Sequence, residues 1–162
     1  MRVYAAPLLS QHAGLKALTS EAEESFDCLY YYTRLYPDYL PLFRIFAALR
    51  QQAYDIYLDR VLTRNEGTEP AEVAIRRFVE TLKTLPDCSP GEHVLVWACF
   101  IAASGSRLPE HQAFLQNFLE RQYIRNGFAN LQRALELLRK IWAHNLEENW
   151  TSLLPELKVF IM

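Results

Sequence analysis

The chain has 162 residues, enough for one domain with its own core. A hydrophobic fraction of 51% and a charged fraction of 22% exclude wholesale disorder. A formal net charge of -2 removes the electrostatic ground for strong nucleic-acid binding by this chain alone.

Three cysteines, Cys28, Cys88 and Cys99, are too few and odd in number for a disulfide framework, and their spacing fits no zinc motif. They read as reduced, partly buried thiols of an intracellular protein. The longest apolar run, Val94 to Ala103, is about half of what a bilayer span needs. Pro7 interrupts the apolar patch Val3 to Leu9, against a secretory signal; the acid-free first twenty residues admit a transit peptide as the minor reading.

In chain order, residues 1–19 have no clear period. Ser20 and Glu23 have capping-box spacing and predict a helix through Phe26, Leu29, Tyr30 and Thr33, ended by Pro37. Leu42, Phe46, Leu49, Ala53, Ile56 and Arg60 recur at steps of three and four, predicting a long helix from about Asp38 to Arg64, with Pro41 in its first turn. Asn65-Glu66-Gly67-Thr68 is a stop. A third helix is expected from about Pro70 to Leu85, with Val73, Arg77, Val79 (or Phe78) and Leu82 as a mixed stripe. Ser89-Pro90-Gly91-Glu92 combines an N-cap, a first-turn proline and a glutamate three residues on, a strong helix start. Val94 to Ala103 is apolar all round; its cap and length favour a buried central helix over a buried strand. Ser104-Gly105-Ser106 closes it. Pro109 opens the fifth helix, with Phe114, Leu115, Phe118, Leu119 and Tyr123 on one face. Asn126-Gly127 is a turn with Gly127 in the left-handed position. Phe128, Leu131, Leu135, Leu138 and Trp142 give the cleanest period in the chain. After His144 come Trp150, Leu153, Leu154 and Leu157, and the apolar ending Val159-Phe160-Ile161-Met162 calls for a docking site on the helices or on a partner.

The usual chemical patterns are missing from the sequence: GxSxG, a Gly-rich phosphate loop, HExxH and CxxC. His12, His93, His111 and His144 are dispersed and read as surface or capping residues rather than metal ligands. Cys99 and His93 lie six apart, on opposed helix faces, and Cys99 sits in an apolar run where a thiol stays protonated and inert. Glu21, Glu23, Glu24 and Glu147-Glu148 read as solvated charges at helix starts and turns. Arg121, Arg125 and Arg133 are interleaved with Glu120 and Glu136, an ordinary charged face. Tyr30-Tyr31-Tyr32 and Tyr36 serve as a ligand or partner surface, or as core edges with hydroxyls in water. No catalytic, cofactor, metal or DNA-binding residue is assigned.

The run His93-Val94-Leu95-Val96-Trp97-Ala98-Cys99-Phe100-Ile101-Ala102-Ala103-Ser104 is similar to a stretch near the end of the fungal-specific transcription factor domain. Pro109-Glu110-His111, Gly127-Phe128, Ala134, Leu138, Ile141-Trp142, Trp150 and Leu153-Leu154-Pro155 follow in the family's order, as do Val159-Phe160-Ile161-Met162. Upstream, Leu42-Phe43-Arg44 and Ile56-Tyr57-Leu58-Asp59-Arg60 resemble the family's preceding helix. The likeness covers Leu42 to Met162. It implies an all-helical regulatory domain that restrains or transmits activation, sometimes in response to a small ligand. Family members usually begin with a six-cysteine zinc cluster that reads DNA, and the three scattered cysteines here do not form one. The chain therefore resembles a C-terminal fragment, a truncated paralogue or a free-standing regulatory relic.

The expectation is an all-α, single-domain array of about six to seven helices, with a poorly defined segment 1–19 and a helical regulatory domain 20–162. The expected function is regulation and protein interaction in a fungal transcription factor-like protein, not catalysis. Its partners would be a transcriptional co-regulator or the rest of a transcription factor, with a small apolar effector as a further ligand and no membrane. Trp97, Phe100, Phe128 and Trp142 are the expected lining of an effector pocket. No cofactor is expected, and the location is the nucleus, or alternatively the cytoplasm. The rival readings are a small helical enzyme or ligand-binding protein acting on an apolar metabolite, and a structural subunit docking through its C-terminus.

Overall fold

The computed structural model describes residues 34–62 and 71–143. Among these residues there are five α-helices and no strand. We number them α1 (Leu40–Leu62), α2 (Ala71–Lys83), α3 (Val96–Gly105), α4 (Pro109–Asn126) and α5 (Ala129–Ala143). The fold is all-α. Of the six to seven helices expected, the one opening at Ser20 and the C-terminal segment after His144 lie outside the described residues. So do residues 1–19, the Tyr30-Tyr31-Tyr32 run, Cys28, His12, the Asn65 to Thr68 stop and the Glu147-Glu148 pair.

The chain divides into two compact units, Met1–Ala47 and Ala48–Met162. In the first, Pro37–Tyr39 forms a 3-10 turn closed by the Tyr39 N–H on the Tyr36 carbonyl at 3.1 Å. The Tyr39 and Phe43 rings lie tilted, with centroids 6.3 Å apart. Helix α1 begins in this unit, with Pro41 in its first turn, where a missing N–H costs nothing. Its residues from Ala48 onward belong to the second unit.

The second unit is organised around α3. Every residue from Ala98 to Gly105 is buried. The unbroken apolar run therefore has a physical counterpart: from Ala98 onward this helix has no wet side and needs no polar stripe. Helices α2, α4 and α5 all pack on it, and α4 packs on α5 and α2. Leu49, Ala53 and Ile56 of α1 are buried as the three-and-four spacing predicts.

Helix α2 differs from the expected stripe. Ile75, Phe78, Val79 and Leu82 are buried, while Val73 and Arg77 are exposed. The observed set steps by three, one and three residues and forms one face; the expected set mixed two faces. On α5, Leu131, Ala134, Leu135, Leu138 and Ile141 are buried, and Phe128 precedes the helix and is 44% exposed. Pro109 occupies the first turn of α4, and Gly127 ends that helix at φ 67 with its N–H on the Tyr123 carbonyl. That is the left-handed termination for which glycine is suited.

The start of α3 departs from a simple cap. Glu92–Leu95 forms a 3-10 turn before α3 begins at Val96. Gly91 is left-handed, at φ 82. Half of the predicted box is made: the Ser89 N–H donates to Glu92 Oε1 at 2.9 Å. The serine hydroxyl donates instead to the Pro86 carbonyl at 2.6 Å. No helix of the described residues is long and apolar enough to cross a membrane.

Candidate functional site

A ten-residue helix is marginal by itself, and its end groups need partners. In α3 those partners come from far along the chain. At the C-terminal end, the Ala103 carbonyl accepts the Ser106 N–H at 3.1 Å and the Trp142 indole N–H at 2.9 Å. The Gly105 carbonyl accepts a guanidinium N–H of Arg60 at 2.8 Å. A cation at a helix C-terminus also complements the helix dipole. Gly105 makes the approach feasible, because a Cβ there would stand 2.5 Å from the Arg60 guanidinium. Burial and Arg107 pull the Arg60 guanidinium below its usual range, against the opposing pull of Asp59 and Glu72.

Glu72 anchors the chain just beyond this end. Its carboxylate accepts the Arg107 N–H at 3.1 Å and stands 2.6 Å from His111 Nδ1. A carboxylate only accepts, so Nδ1 carries the proton between them. Gln112 donates to the Ser106 carbonyl at 2.8 Å. His111 is buried, which corrects the reading of it as a surface or capping histidine; what held it was a partner 39 residues away.

At the other end, Glu92 is 2% exposed and holds three donors. They are the Ser89 N–H at 2.9 Å, Gln122 Nε2 at 2.6 Å and Arg125 Nη1 at 2.9 Å. A buried carboxylate is tolerable when its lone pairs are filled in this way. Gln122 is itself buried, and Asn126 donates to its carbonyl and side-chain oxygens. Sequence reading placed Glu92 only as a local cap and missed this cluster. The available signal was a glutamine and an arginine on α4, spaced by three and so facing one way.

The four residues expected to line an effector pocket are placed as follows. Trp97 is half-buried on α3, with ring centroids 5.4 Å from Tyr54 and 6.4 Å from Tyr57. Burial pushes the Tyr57 phenol up. Phe100 is buried in the core. Trp142 is half-buried and tied to α3 through its indole N–H. Phe128 and Trp142 stand at opposite ends of α5, about 21 Å apart along the helix at the standard rise per residue.

Two arginines of the charged face, Arg121 and Arg125, have acidic partners, as does Arg139 on α5. Arg121 pairs with Asp87 at 3.2 Å, Arg125 with Glu92, and Arg139 with Glu120 at 3.4 Å. Cys99 is fully enclosed; burial and the Glu92 charge raise its thiol well above the usual range, with Arg121 opposing. His93 is exposed. Among the described residues no three histidine, cysteine or acidic side chains are grouped to hold a metal ion.

These features define a class: an all-helical domain built on one buried helix, with both ends of that helix secured by long-range polar bonds. Residues 10–162 match the family model of the fungal specific transcription factor domain, and the chain belongs to that family. The family is one of transcription factor domains and not typically of enzymes. No curated protein and no solved structure gave a match.

Proposed function

We propose that the chain is a regulatory and protein-interaction domain of a fungal transcription factor-like protein. It would work in the nucleus, in contact with a transcriptional co-regulator or with the rest of a transcription factor. The observation that carries this reading is the family match over residues 10–162. The three cysteines of the sequence cannot furnish a six-cysteine cluster, so on this reading another part of the assembly touches DNA.

The mechanism is a choice between two packings of α3, biased by a partner or a small apolar effector. The bonds at its ends supply discrete, breakable links: Arg60 and Trp142 at one end, Gln122 and Arg125 at the other. The effector site on this proposal lies around Trp97, Phe100 and Trp142, with Phe128 at the far end of α5.

The test is transcriptional. The full chain is fused to a heterologous DNA-binding domain, with and without a heterologous activation domain, and reporter output is measured in a fungal host. The expected result is a several-fold change relative to the same fusion lacking the chain, altered further by Arg60→Met. Equal output with and without the chain, in both formats, would sink the proposal.

A further inference from the structure

The loop between α2 and α3 holds a serine, Ser89, that the regulatory reading does not use. Ser89-Pro90 is the only place in the sequence where a serine or threonine precedes a proline. Pro86, Asp87, Cys88 and Pro90 around it are exposed, while Ser89 is turned inward and buried. Its hydroxyl is held by the Pro86 carbonyl and its N–H by Glu92. Cys88, just before it, sits at φ 61, a left-handed conformation that a side chain disfavours. The loop is therefore closed over Ser89 at a cost in backbone strain.

Two arginines one helical turn apart on α4 reach this loop. Arg121 meets Asp87 at 3.2 Å and Arg125 meets Glu92 at 2.9 Å. Ser89 lies between those two acids in the sequence. The Nε of Arg121 is buried and has no hydrogen-bond partner among the described residues. A donor in that state favours an additional anionic acceptor nearby.

We propose that Ser89 is a phosphorylation site for a proline-directed protein kinase, and that its phosphate draws Arg121 and Arg125 away from Asp87 and Glu92. The inference rests on the geometry of this loop and not on the regulatory reading. In the transfer, Ser89 Oγ bonds to the γ-phosphorus of ATP. The bond from that phosphorus to the β–γ bridging oxygen breaks, ADP leaves, and the hydroxyl proton passes to the kinase's base. The ester oxygen no longer donates to Pro86. The new group carries about two negative charges and three acceptor oxygens, which suit the forked donors of paired arginines. Glu92 is then left buried without its cation, and the first turn before α3 loosens. Because Ser89 is reached only when the loop opens, modification traps the open form.

The experiment incubates the full 162-residue chain with a purified proline-directed kinase, ATP and magnesium, and locates phosphate by peptide mass mapping. Phosphate is expected at Ser89 in the wild type, several-fold faster in Glu92→Gln, and absent from that peptide in Ser89→Ala. The modified wild type is expected to unfold at a lower temperature than the untreated protein. That shift should shrink when Arg121 and Arg125 are both replaced by alanine. An unmodified Ser89 in both the wild type and Glu92→Gln overturns the site. Full modification with an unchanged unfolding temperature overturns the exchange of arginine partners.

Discussion

The indole N–H of Trp142 donates to the carbonyl oxygen of Ala103 across 39 residues of sequence, at 2.9 Å. Two residues further along α3, the Gly105 carbonyl takes its bond from Arg60, 45 residues away in the other direction. The two donors come from α1 and α5, the first and last of the five described helices in sequence, and converge on the last turn of α3.

Replacing Arg60 with methionine keeps much of the bulk and removes the donor. A hydrogen bond from a charged group contributes about 1.5–3 kcal/mol, so the urea midpoint should fall by a corresponding amount. Trp142→Phe should cost about 1 kcal/mol by the loss of a neutral donor. An unchanged midpoint in Arg60→Met would show that the carbonyl is served equally well by water.

Glu92 accepts from a backbone N–H, a buried glutamine and an arginine. Glu92→Ala strands all three and should destabilise by roughly 2–4 kcal/mol, discounted from a fully buried pair because Arg125 is part-exposed. Glu92→Gln retains one oxygen and should lose less. Equal losses in equilibrium unfolding would show that packing, and not donor count, sets the cost.

The two described thiols should separate cleanly in alkylation. Cys88 is exposed and Cys99 buried, so mild iodoacetamide treatment should label Cys88 and spare Cys99 until the protein unfolds. The raised Cys99 thiol also has a sign in pH dependence. Above about pH 9, where an ordinary thiol ionises, the unfolded chain releases a proton that the folded chain keeps. Stability from this group is intact below that pH and is lost as pH rises further. A stability profile that climbs above pH 9 would contradict this assignment.

Aromatic truncation should distinguish core from surface among the four residues expected at an effector site. Phe100→Ala should cost about 3–5 kcal/mol, while Phe128→Ala, at 44% exposure, should cost under about 1 kcal/mol. Chemical denaturation of the two variants gives the comparison directly. Equal costs would mean that Phe128 is covered by a contact outside the described residues.

The helices were legible because their periodicity is local. The stripe Leu49, Ala53, Ile56 and Arg60 was read correctly as one face of α1, and Gly127 as a left-handed stop. The apolar run in α3 was ambiguous between strand and helix, since a fully buried segment shows no period of either kind. Helix α2 was misread at Val73 and Arg77, because a stripe with a charged member fits two faces equally well from sequence alone. The polar framework was not legible. Glu92 could be recognised as a cap from Ser89 three residues away, but Gln122 and Arg125 lie 30 and 33 residues beyond it. No short-range pattern encodes a pairing at that distance; it follows only once α3 and α4 are packed.

A helix wrapped on all sides between Ala98 and Gly105 cannot itself greet a visitor. Whatever touches it from outside between those residues does so through its neighbours' side chains, Arg60 and Trp142 among them. Evolution of new partners in such a domain is then expected to redraw its periphery while leaving the middle almost untouched, so lineages that answer different signals could keep one interior.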